Sequence, residues 1–268
     1  MTNITATTRL YGLVGSNISR SKSFVLHNQT MKALDLDALY LCFETEAHSL
    51  QEILKALDAI QCQGANITLP FKEDIIPYLG ELSSEAQAIG AVNTIRKTKK
   101  GWKGYNTDAF GFAQSLLTSN ITVENRPIYL WGAGGAARAV CYALANLGVD
   151  TIHCWNRHPD RLNELRTLVA VERYQPEVFF PQHAILINCT PLESKEEYPA
   201  LPQFNSTHSV IDLIYRDTAL LSMAKEAGAE YLNGSKMLLY QAVKAFELWF
   251  PNSNPTMTMT QIYWEQQW

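Results

Sequence analysis

Short apolar runs alternate with longer amphipathic stretches along the first half of the chain, a pattern that predicts strands alternating with helices. The apolar runs predict strands at residues 9–15, 39–43, 64–69, 91–95 and 102–105. Apolar side chains at helical spacing predict helices at residues 24–34, 49–60 and 107–117. Ser21 or Ser23 is the predicted N-cap of the first helix. Pro70 ends the third strand because it cannot donate to a ladder.

The second half of the chain repeats this alternation more regularly. Its apolar runs predict strands at residues 128–131, 151–155, 184–188 and 210–214. Its amphipathic stretches predict helices at residues 135–147, 159–168 and 237–250. Strands that alternate with helices join into parallel sheets through right-handed crossovers, so the order predicts an α/β fold.

Composition narrows the class of protein. The 268 residues are 47% hydrophobic and 18% charged, which is ordinary for a globular chain of one large or two smaller domains. The net charge of −4 argues against a surface that neutralises nucleic-acid phosphates. No run of 18 apolar residues is present, and the first residues lack the pattern of a secretory signal. We therefore expect no nucleic-acid partner and no membrane partner.

Cysteine and histidine positions bear on compartment and on metal binding. The five cysteines lie far apart without a CxxC pair, in apolar stretches, which indicates buried thiols in a reducing cytoplasm. The six histidines include no HExxH and no cluster with cysteine. We expect a cytoplasmic protein without a metal site.

A glycine-rich string, GAGGAAR, follows the strand at 128–131 and opens the next helix. In that context Gly132 permits a tight turn, and Gly134 lets the backbone approach a pyrophosphate. The amino end of the helix then faces the anion with free N–H groups. The string therefore predicts a dinucleotide site rather than an ordinary loop.

The end of the next strand predicts which dinucleotide is bound. A site for NAD normally has an acid there, which accepts from the ribose 2′-hydroxyl. This strand ends instead in Asn156 and Arg157, with Arg161 one helical turn later. A guanidinium pairs with a 2′-phosphate, although Asp160 offsets part of the charge and both arginines also suit a solvated surface. The pattern favours NADP(H).

Seven segments together resemble one family. In chain order they are SxS before a helix, NITLPFK, IGAVNT, GYNTDxxG, GAGGAAR, NR with a following arginine, and YQAVKAFELW. The chain resembles the shikimate/quinate dehydrogenase family along nearly its whole length. The resemblance implies two α/β domains: an N-terminal substrate domain with a mainly parallel sheet, and a Rossmann-like NADP-binding domain. The substrate domain is expected at 1–108, completed by helices at about 240–268, and the NADP-binding domain at 109–239.

The resemblance implies an activity and a catalytic pair. The expected reaction is the NADPH-dependent, reversible reduction of 3-dehydroshikimate to shikimate, in the pathway to chorismate and the aromatic amino acids. By the same resemblance Lys72 and Asp108 are the catalytic residues. A ketone that accepts a hydride gains negative charge on its oxygen, and an ammonium supplies a proton or a positive field there. From sequence alone, Lys72 also fits a surface lysine at a helix start, and Asp108 a first-turn acid.

The remaining site residues also follow from the resemblance. Residues expected to bind substrate are Ser21, Ser23, Thr68, Lys72, Asn93, Asp108, Tyr215 and Gln241. Ser21, Ser23 and Tyr215 are assigned to the substrate carboxylate. Residues expected to bind the cofactor are Gly132, Ala133, Gly134, Gly135, Ala136, Asn156, Arg157, His158, Arg161, Thr190, Leu213 and Gly234. Read singly, these residues also suit helix caps, turns and ordinary packing.

Several positions depart from the family's usual residues. In the opening segment GSNISRSKSF the two serines remain, while an asparagine, two prolines and a histidine of the family pattern are replaced. The replacing residues are Ser16, Asn17, Phe24 and Arg20. Glu193 and Lys236 each stand where the family has glycine, and His158 stands where it has threonine.

Three other functions compete with the expected one. A quinate/shikimate dehydrogenase that also accepts NAD would carry an acid near Asn156. An inactive regulator that senses NADP or a pathway acid would not need both Lys72 and Asp108. A pure interaction module with a vestigial nucleotide loop would need neither. As to assembly, the sequence fits a monomer or a homodimer.

Overall fold

The computed structural model describes residues 4–19, 21–46, 49–176 and 179–266, and the chain divides into two compact units. Unit 1 contains the described residues up to Thr107 and those from Gln241 onward. Unit 2 runs from Asp108 to Tyr240. Each unit is built around one six-stranded sheet with helices.

Unit 1 contains a mixed sheet in the order β2-β1-β3-β5-β6-β4. Its strands are β1 (Arg9–Gly15), β2 (Ala38–Glu44), β3 (Gly64–Ile67), β4 (Glu81–Leu82), β5 (Thr94–Thr98) and β6 (Gly101–Tyr105). Its helices are α1 (Ser23–Ala33), α2 (Leu50–Ala59), α3 (Ser84–Ile89), the larger part of α8 (Ser235–Trp249) and α9 (Thr256–Glu265). β1 pairs in parallel with β2 and β3, whereas β5 is antiparallel to β3 and β6.

The core of unit 1 follows from its apolar pattern. Every residue of β3 is buried, as expected for a central strand covered on both faces. On α2 the buried residues are Leu50, Leu54 and Leu57, which share one helix face because they are four and three residues apart. They pack in one cluster with Phe71 and Ile75, the apolar residues that follow β3. This packing fixes the chain on either side of Lys72.

Unit 2 contains an entirely parallel sheet in the order β12-β11-β10-β7-β8-β9. Its strands are β7 (Ile128–Trp131), β8 (Thr151–Trp155), β9 (Ala170–Arg173), β10 (Ile185–Asn188), β11 (Ser209–Asp212) and β12 (Glu230–Leu232). Its helices are α4 (Asp108–Leu117), α5 (Gly135–Asn146), α6 (Leu162–Leu165), α7 (Ala219–Glu226) and the first turns of α8. Strand order reverses between β7 and β10, so their carboxyl ends flank a topological switch point.

Most helices and strands with a strong apolar pattern have bounds close to the predicted ones, whereas the bounds of those with a weaker pattern differ. The predicted helix at 159–168 is only a 3₁₀ turn followed by the four-residue α6. The strand predicted at 91–95 begins instead at Thr94 and ends at Thr98, since its antiparallel pairing with β6 covers those five residues. Neither serine is the N-cap of α1; Lys22 holds that position, and Ser21 Oγ accepts from the Ser23 N–H at 3.3 Å.

Three features of the described residues concern membrane-spanning helices, clusters of metal ligands and the state of the cysteines. Within them no helix is long and apolar enough to cross a membrane, and no cluster of candidate ligands for a metal ion is found. All five cysteines are free thiols. Cys42 corrects the expectation of buried thiols, because it lies on an exposed position of β2.

A histidine is enclosed in the core of unit 1. His27 on α1 is fully buried, stacks on the Tyr40 ring at 4.5 Å, and lies near the rings of Phe246 and Trp249. Among the described residues neither ring nitrogen has a hydrogen-bond partner. Burial lowers the pKa of His27 to about 3, because a charged imidazolium would lose its hydration there.

Because His27 is buried in its neutral form, the free energy of unfolding depends on pH. In the unfolded chain His27 has a pKa of about 6.5 and binds a proton below that pH, whereas in the folded chain it stays neutral down to about pH 3. The free energy of unfolding therefore falls by about 1.4 kcal/mol per pH unit between these two values as the pH is lowered. We expect His27→Phe to remove that slope, measured by urea unfolding from pH 7.5 to pH 5. His183→Asn, an exposed position with positive φ, is the control and should keep it. An unchanged slope in His27→Phe would show that the acid sensitivity arises elsewhere.

Candidate active site

The turn after β7 carries the glycine-rich segment, and two glycines shape it. Gly132 has a φ of 106°, which L side chains rarely adopt, and its N–H donates to the Trp155 carbonyl at 2.8 Å. Gly134 is the N-cap of α5, and a Cβ built on it would meet no atom within 4 Å. Open space therefore lies beside Gly134 at the amino end of a helix.

The amino end of α5 is suited to an anion. Ala133 precedes the N-cap, and Gly135 and Ala136 form the start of the helix. The first N–H groups of a helix have no partner within it, and the helix dipole adds partial positive charge. The first turn, which is fully described, contains no acid. These residues therefore fit the pyrophosphate of a dinucleotide.

The segment after β8 fits a phosphorylated ribose better than a free one. Asn156 is polar but uncharged, and its Nδ2 donates to the His158 carbonyl at 2.8 Å, which shapes the turn. Arg157 and His158 are exposed, and no ion pair of Arg157 is found among the described residues. Arg161 lies 3.9 Å from Glu164, which offsets part of its charge. Arg157 is thus the cation best placed in this segment to take an anion from solvent.

Three further residues predicted to contact the cofactor follow β10, β11 and β12. Thr190 follows β10, and its hydroxyl donates to Asn188 Oδ1 at 2.6 Å. Leu213 follows β11, and a Cβ on Gly234 would overlap the Leu213 carbonyl oxygen. Gly234 also donates its N–H to the Ile214 carbonyl at 3.0 Å. Only glycine permits this close packing of the loop after β11 against the start of α8.

Two departures from the family pattern acquire structural partners. Lys236 Nζ donates to the Thr118 carbonyl at 3.0 Å and to Ser119 Oγ at 2.8 Å, so it binds the carboxyl end of α4. Glu193 forms a bidentate ion pair with Arg216, in which Arg216 Nε donates to Glu193 Oε2 at 2.7 Å. Lys236 is therefore engaged with protein atoms, and Glu193 links the loops after β10 and β11.

In the opening segment, the local backbone conformation explains the departure from the family pattern at Asn17. Asn17 has a φ of 55°, which proline cannot adopt, and its N–H donates to Glu44 Oε1 at 3.1 Å. Phe24 is 43% exposed on α1. Arg20 lies outside the described residues.

In unit 1, Lys72 lies in a series of turns after β3. It does not begin a helix, as one sequence interpretation held, since only a 3₁₀ turn at Ile76–Tyr78 follows. The Lys72 carbonyl accepts from the Val92 N–H at 2.7 Å, and its side chain is half-buried. Thr68, at the end of β3, donates its N–H to the Val14 carbonyl at 2.9 Å. Both residues are thus held at the carboxyl end of β3.

Asn93 is the centre of a buried hydrogen-bond group in the same unit. Its Oδ1 accepts from the Thr107 N–H at 2.7 Å, and its Nδ2 donates to Thr107 Oγ1 at 2.8 Å. Its Nδ2 also lies 3.4 Å from Gln241 Oε1, so two predicted substrate ligands are neighbours. Thr107 directly precedes Asp108, which is buried and begins α4. Asn93 therefore fixes the backbone that leads into Asp108.

The remaining predicted substrate residues differ in how far their side chains are buried. Ser21 is half-buried and Ser23 is buried at the start of α1. Tyr215 is half-buried in the loop after β11 of unit 2. Two further asparagines, in the segments NITLPFK and GYNTDxxG, also have structural partners: Asn66 Oδ1 accepts from the Tyr40 hydroxyl at 2.7 Å, and Asn106 Nδ2 donates to the Ala91 carbonyl at 2.9 Å.

Sequence reasoning missed one buried acid close to these loops. Asp212 ends β11, is fully buried, and accepts hydrogen bonds from Asn188 Nδ2, the Ile214 N–H and the Thr218 hydroxyl. Burial raises the pKa of Asp212 to about 6 against these three donors. Its signal in the sequence was a single charged residue closing an otherwise apolar strand.

The parallel sheet and the glycine turn at its switch point place unit 2 in the class of Rossmann-type nucleotide-binding domains. A family model described as the shikimate dehydrogenase substrate binding domain matches residues 13–95. A shikimate dehydrogenase (NADP(+)) of Aquifex aeolicus is 37% identical over 250 residues, which cover 92% of this chain and 93% of that protein. The chain belongs to the shikimate dehydrogenase family.

Solved structures agree with that assignment. The crystal structure of shikimate dehydrogenase from Aquifex aeolicus superposes with a TM-score of 0.86 at 34% identity, covering 97% of this chain and 98% of that one. Shikimate 5-dehydrogenase from Thermus thermophilus, in complex with NADP(H) and shikimate, superposes with a TM-score of 0.80 at 30% identity, covering 96% and 99%. The expected two-domain fold class is thereby confirmed.

Proposed function

We propose that this protein catalyses the reversible, NADPH-dependent reduction of 3-dehydroshikimate to shikimate. The main support is the match to a relative named shikimate dehydrogenase (NADP(+)) over 92% of the chain, which extends across both units. A related solved structure holds NADP(H) and shikimate. NADPH, when bound, supplies the hydride that adds to the ketone carbon.

We assign the acid–base chemistry to Lys72 and Asp108. The Lys72 ammonium stabilises the negative charge that develops on the ketone oxygen and donates a proton to it. Asp108 orients that ammonium and accepts a hydrogen bond from a neighbouring substrate hydroxyl. The buried position of Asp108 at a helix start supports this role, because the helix dipole favours a negative charge there.

We assign the other substrate contacts by the substrate's chemistry. A polyhydroxy acid needs many hydrogen bonds, and hydroxyl groups bind a carboxylate without a salt bridge. Ser21, Ser23 and Tyr215 are proposed for the carboxylate. The ring hydroxyls are proposed to contact Thr68, Asn93 and Gln241. Asn93 and Gln241 already lie within hydrogen-bond reach of each other, which supports their assignment to one binding surface.

We assign NADP(H) binding to the loops of unit 2. The open space at Gly134 and the acid-free first turn of α5 support pyrophosphate binding by residues 132–136. Arg157, with Arg161, is proposed for the 2′-phosphate, and Asn156 and His158 for the turn around it. Thr190, Leu213 and Gly234 are proposed for the nicotinamide side. The free thiols of the chain suit a reducing cytoplasm, where we place the enzyme as a monomer or a homodimer.

The direct test is an absorbance assay for reduced nicotinamide, with shikimate or quinate as substrate and NADP or NAD as oxidant. The proposal predicts fast turnover with shikimate and NADP, and slow turnover in the other combinations. Equal rates with quinate and NAD would support a quinate/shikimate dehydrogenase instead. No turnover in any combination would reject both enzymes in favour of a binding protein.

Arg157→Ala tests the cofactor assignment. Because the guanidinium is proposed to pair with the 2′-phosphate, we expect the KM for NADPH to rise about tenfold while the KM for NADH changes little. The measurement is steady-state kinetics with each cofactor. Lys225→Ala, which removes an exposed cation in the last turn of α7, is the control. Equal effects on the two cofactors would remove Arg157 from the 2′-phosphate site.

A further inference from the structure

The carboxyl ends of β10 and β11 are joined by one buried carboxylate. Asp212 Oδ1 accepts from Asn188 Nδ2 at 3.2 Å and from the Ile214 N–H at 3.0 Å. Asp212 Oδ2 accepts from the Thr218 hydroxyl at 2.8 Å. Both Asp212 and Asn188 are fully buried. We call Asn188, Asp212 and Thr218 the Asp212 hub.

Through Asn188 the hub reaches the loop after β10. Asn188 Oδ1 accepts from the Thr190 N–H at 3.0 Å and from the Thr190 hydroxyl at 2.6 Å. Asn188 Nδ2 also donates to the Leu192 carbonyl at 3.3 Å. The bond to Asp212 fixes which way the Asn188 amide faces, since Asp212 accepts and Nδ2 donates. The conformation at Thr190 therefore depends on an acceptor at position 212.

Directly and through Thr218, the hub also holds the loop after β11. The Ile214 N–H binds Asp212 itself, and the Leu213 N–H donates to the Asn188 carbonyl at 3.0 Å. Thr218 caps α7 by accepting from the Leu221 N–H at 3.3 Å. The segment that contains Leu213 and Tyr215 is thus fixed at both of its ends.

We propose that Asp212 is a positioning residue that sets the conformation of both loops, and so places Thr190 and Leu213 for the cofactor and Tyr215 for the substrate. This inference rests on the function proposed above for the roles of those three residues. Its structural part is independent of that function, because it concerns the loops of the ligand-free chain. A buried carboxylate loses its hydration, so three protein donors are needed to compensate it.

The test compares Asp212→Ala with two further variants. Asp212→Ala removes both acceptor oxygens at position 212, and with them the hydrogen bonds from Asn188, Ile214 and Thr218. Asp212→Asn keeps Oδ1 for Asn188 and Ile214, and its new amide donates to the Thr218 hydroxyl, so it should restore the wild-type behaviour. Ser209→Ala is the matched control, because Ser209 is a buried, hydrogen-bonded residue at the opposite end of the same strand.

The first readout is hydrogen exchange in the ligand-free protein. In Asp212→Ala we expect the backbone amides of residues 189, 190, 192 and 213–216 to exchange at least about tenfold faster, while those of β7 and β8 keep their rates. Ser209→Ala should leave both loops protected. Loops as protected in Asp212→Ala as in the wild type would overturn the proposal, whatever the enzyme's activity.

The second readout is a split between KM and kcat. Asp212→Ala should raise the KM for NADPH and for 3-dehydroshikimate by about tenfold each, with kcat changed by less than about threefold, because Lys72 and Asp108 are untouched. KM values within twofold of the wild type would contradict the proposed role. If Asp212→Ala does not fold, Thr218→Val and its conservative partner Thr218→Ser provide the same comparison. Thr218→Val should speed amide exchange in the loop after β11, and Thr218→Ser should not.

Discussion

Lys72→Met should lower kcat by about 10²-fold or more, the scale of lost acid–base and electrostatic help. Methionine keeps the length of the side chain and leaves intact the backbone hydrogen bond between the Lys72 carbonyl and the Val92 N–H. The affinity for NADPH should therefore change little. Steady-state kinetics in the direction of 3-dehydroshikimate reduction, with NADPH binding followed by fluorescence, measures both quantities.

Lys55→Met is the control for this variant. Lys55 is an exposed lysine on α2 of the same unit, so its loss removes the same charge without touching the proposed chemistry. It should turn over at the wild-type rate. Near-normal turnover of Lys72→Met, or an equal loss in both variants, would reject the catalytic role of Lys72.

Gly134→Val should weaken NADP binding by about 10²-fold, or about 2.7 kcal/mol. The new side chain meets no protein atom near its Cβ, and φ of −91° with ψ of −174° is extended backbone that valine adopts readily. The protein should therefore fold normally while the added carbons occupy the space proposed for the pyrophosphate. Isothermal titration with NADP and a thermal melt measure the two effects.

The control for Gly134→Val is Asn146→Ala, an exposed change at the opposite end of α5. It should bind NADP as the wild type does. If Gly134→Val bound NADP normally, the pyrophosphate would have to lie elsewhere. If it bound weakly but melted at a much lower temperature, the loss would reflect misfolding of the turn.

Sequence patterns predicted the elements in which local and tertiary preferences agree. The strands at Ile128–Trp131 and Thr151–Trp155 have the predicted bounds. The first is a continuous apolar run in the middle of a parallel sheet, and the second alternates buried and more accessible residues in the neighbouring strand. The helix predicted at 159–168 was too long because its apolar residues Leu162 and Leu165 bury within a single turn. Local spacing does not reveal where packing ends a helix.

Other elements were missed although they carry terminal signals. α3 is short, but Ser83 caps its amino end at 3.1 Å from the Ala86 N–H, and Gly90 ends it with φ of 66°. α7 has Thr218 as its N-cap, and Gly228, with φ of 69°, follows its C-cap Ala227. A search for a capping residue followed by a glycine would have found α3, despite its weak apolar pattern.

Within the candidate site, motifs predicted which residues bind ligands but not which protein groups those residues contact. The sequence placed Asn93 among the substrate ligands, while its hydrogen bonds to Thr107 and Gln241 depend on segments far apart in the chain. The sequence alone does not explain why Lys236 and Glu193 depart from the family pattern. In the structure Lys236 binds the carboxyl end of α4, and Glu193 pairs with Arg216. Such pairings are set by tertiary packing, which no local pattern encodes.

Deuterium labelling follows the proposed transfer of a hydride from NADPH to the ketone. The protein would be incubated with 3-dehydroshikimate and NADPH that carries two deuterium atoms at nicotinamide C4, and the product would be analysed by mass spectrometry. We expect shikimate that contains one deuterium, bonded to the carbon of the former ketone. Shikimate without deuterium, or unchanged 3-dehydroshikimate, would contradict it.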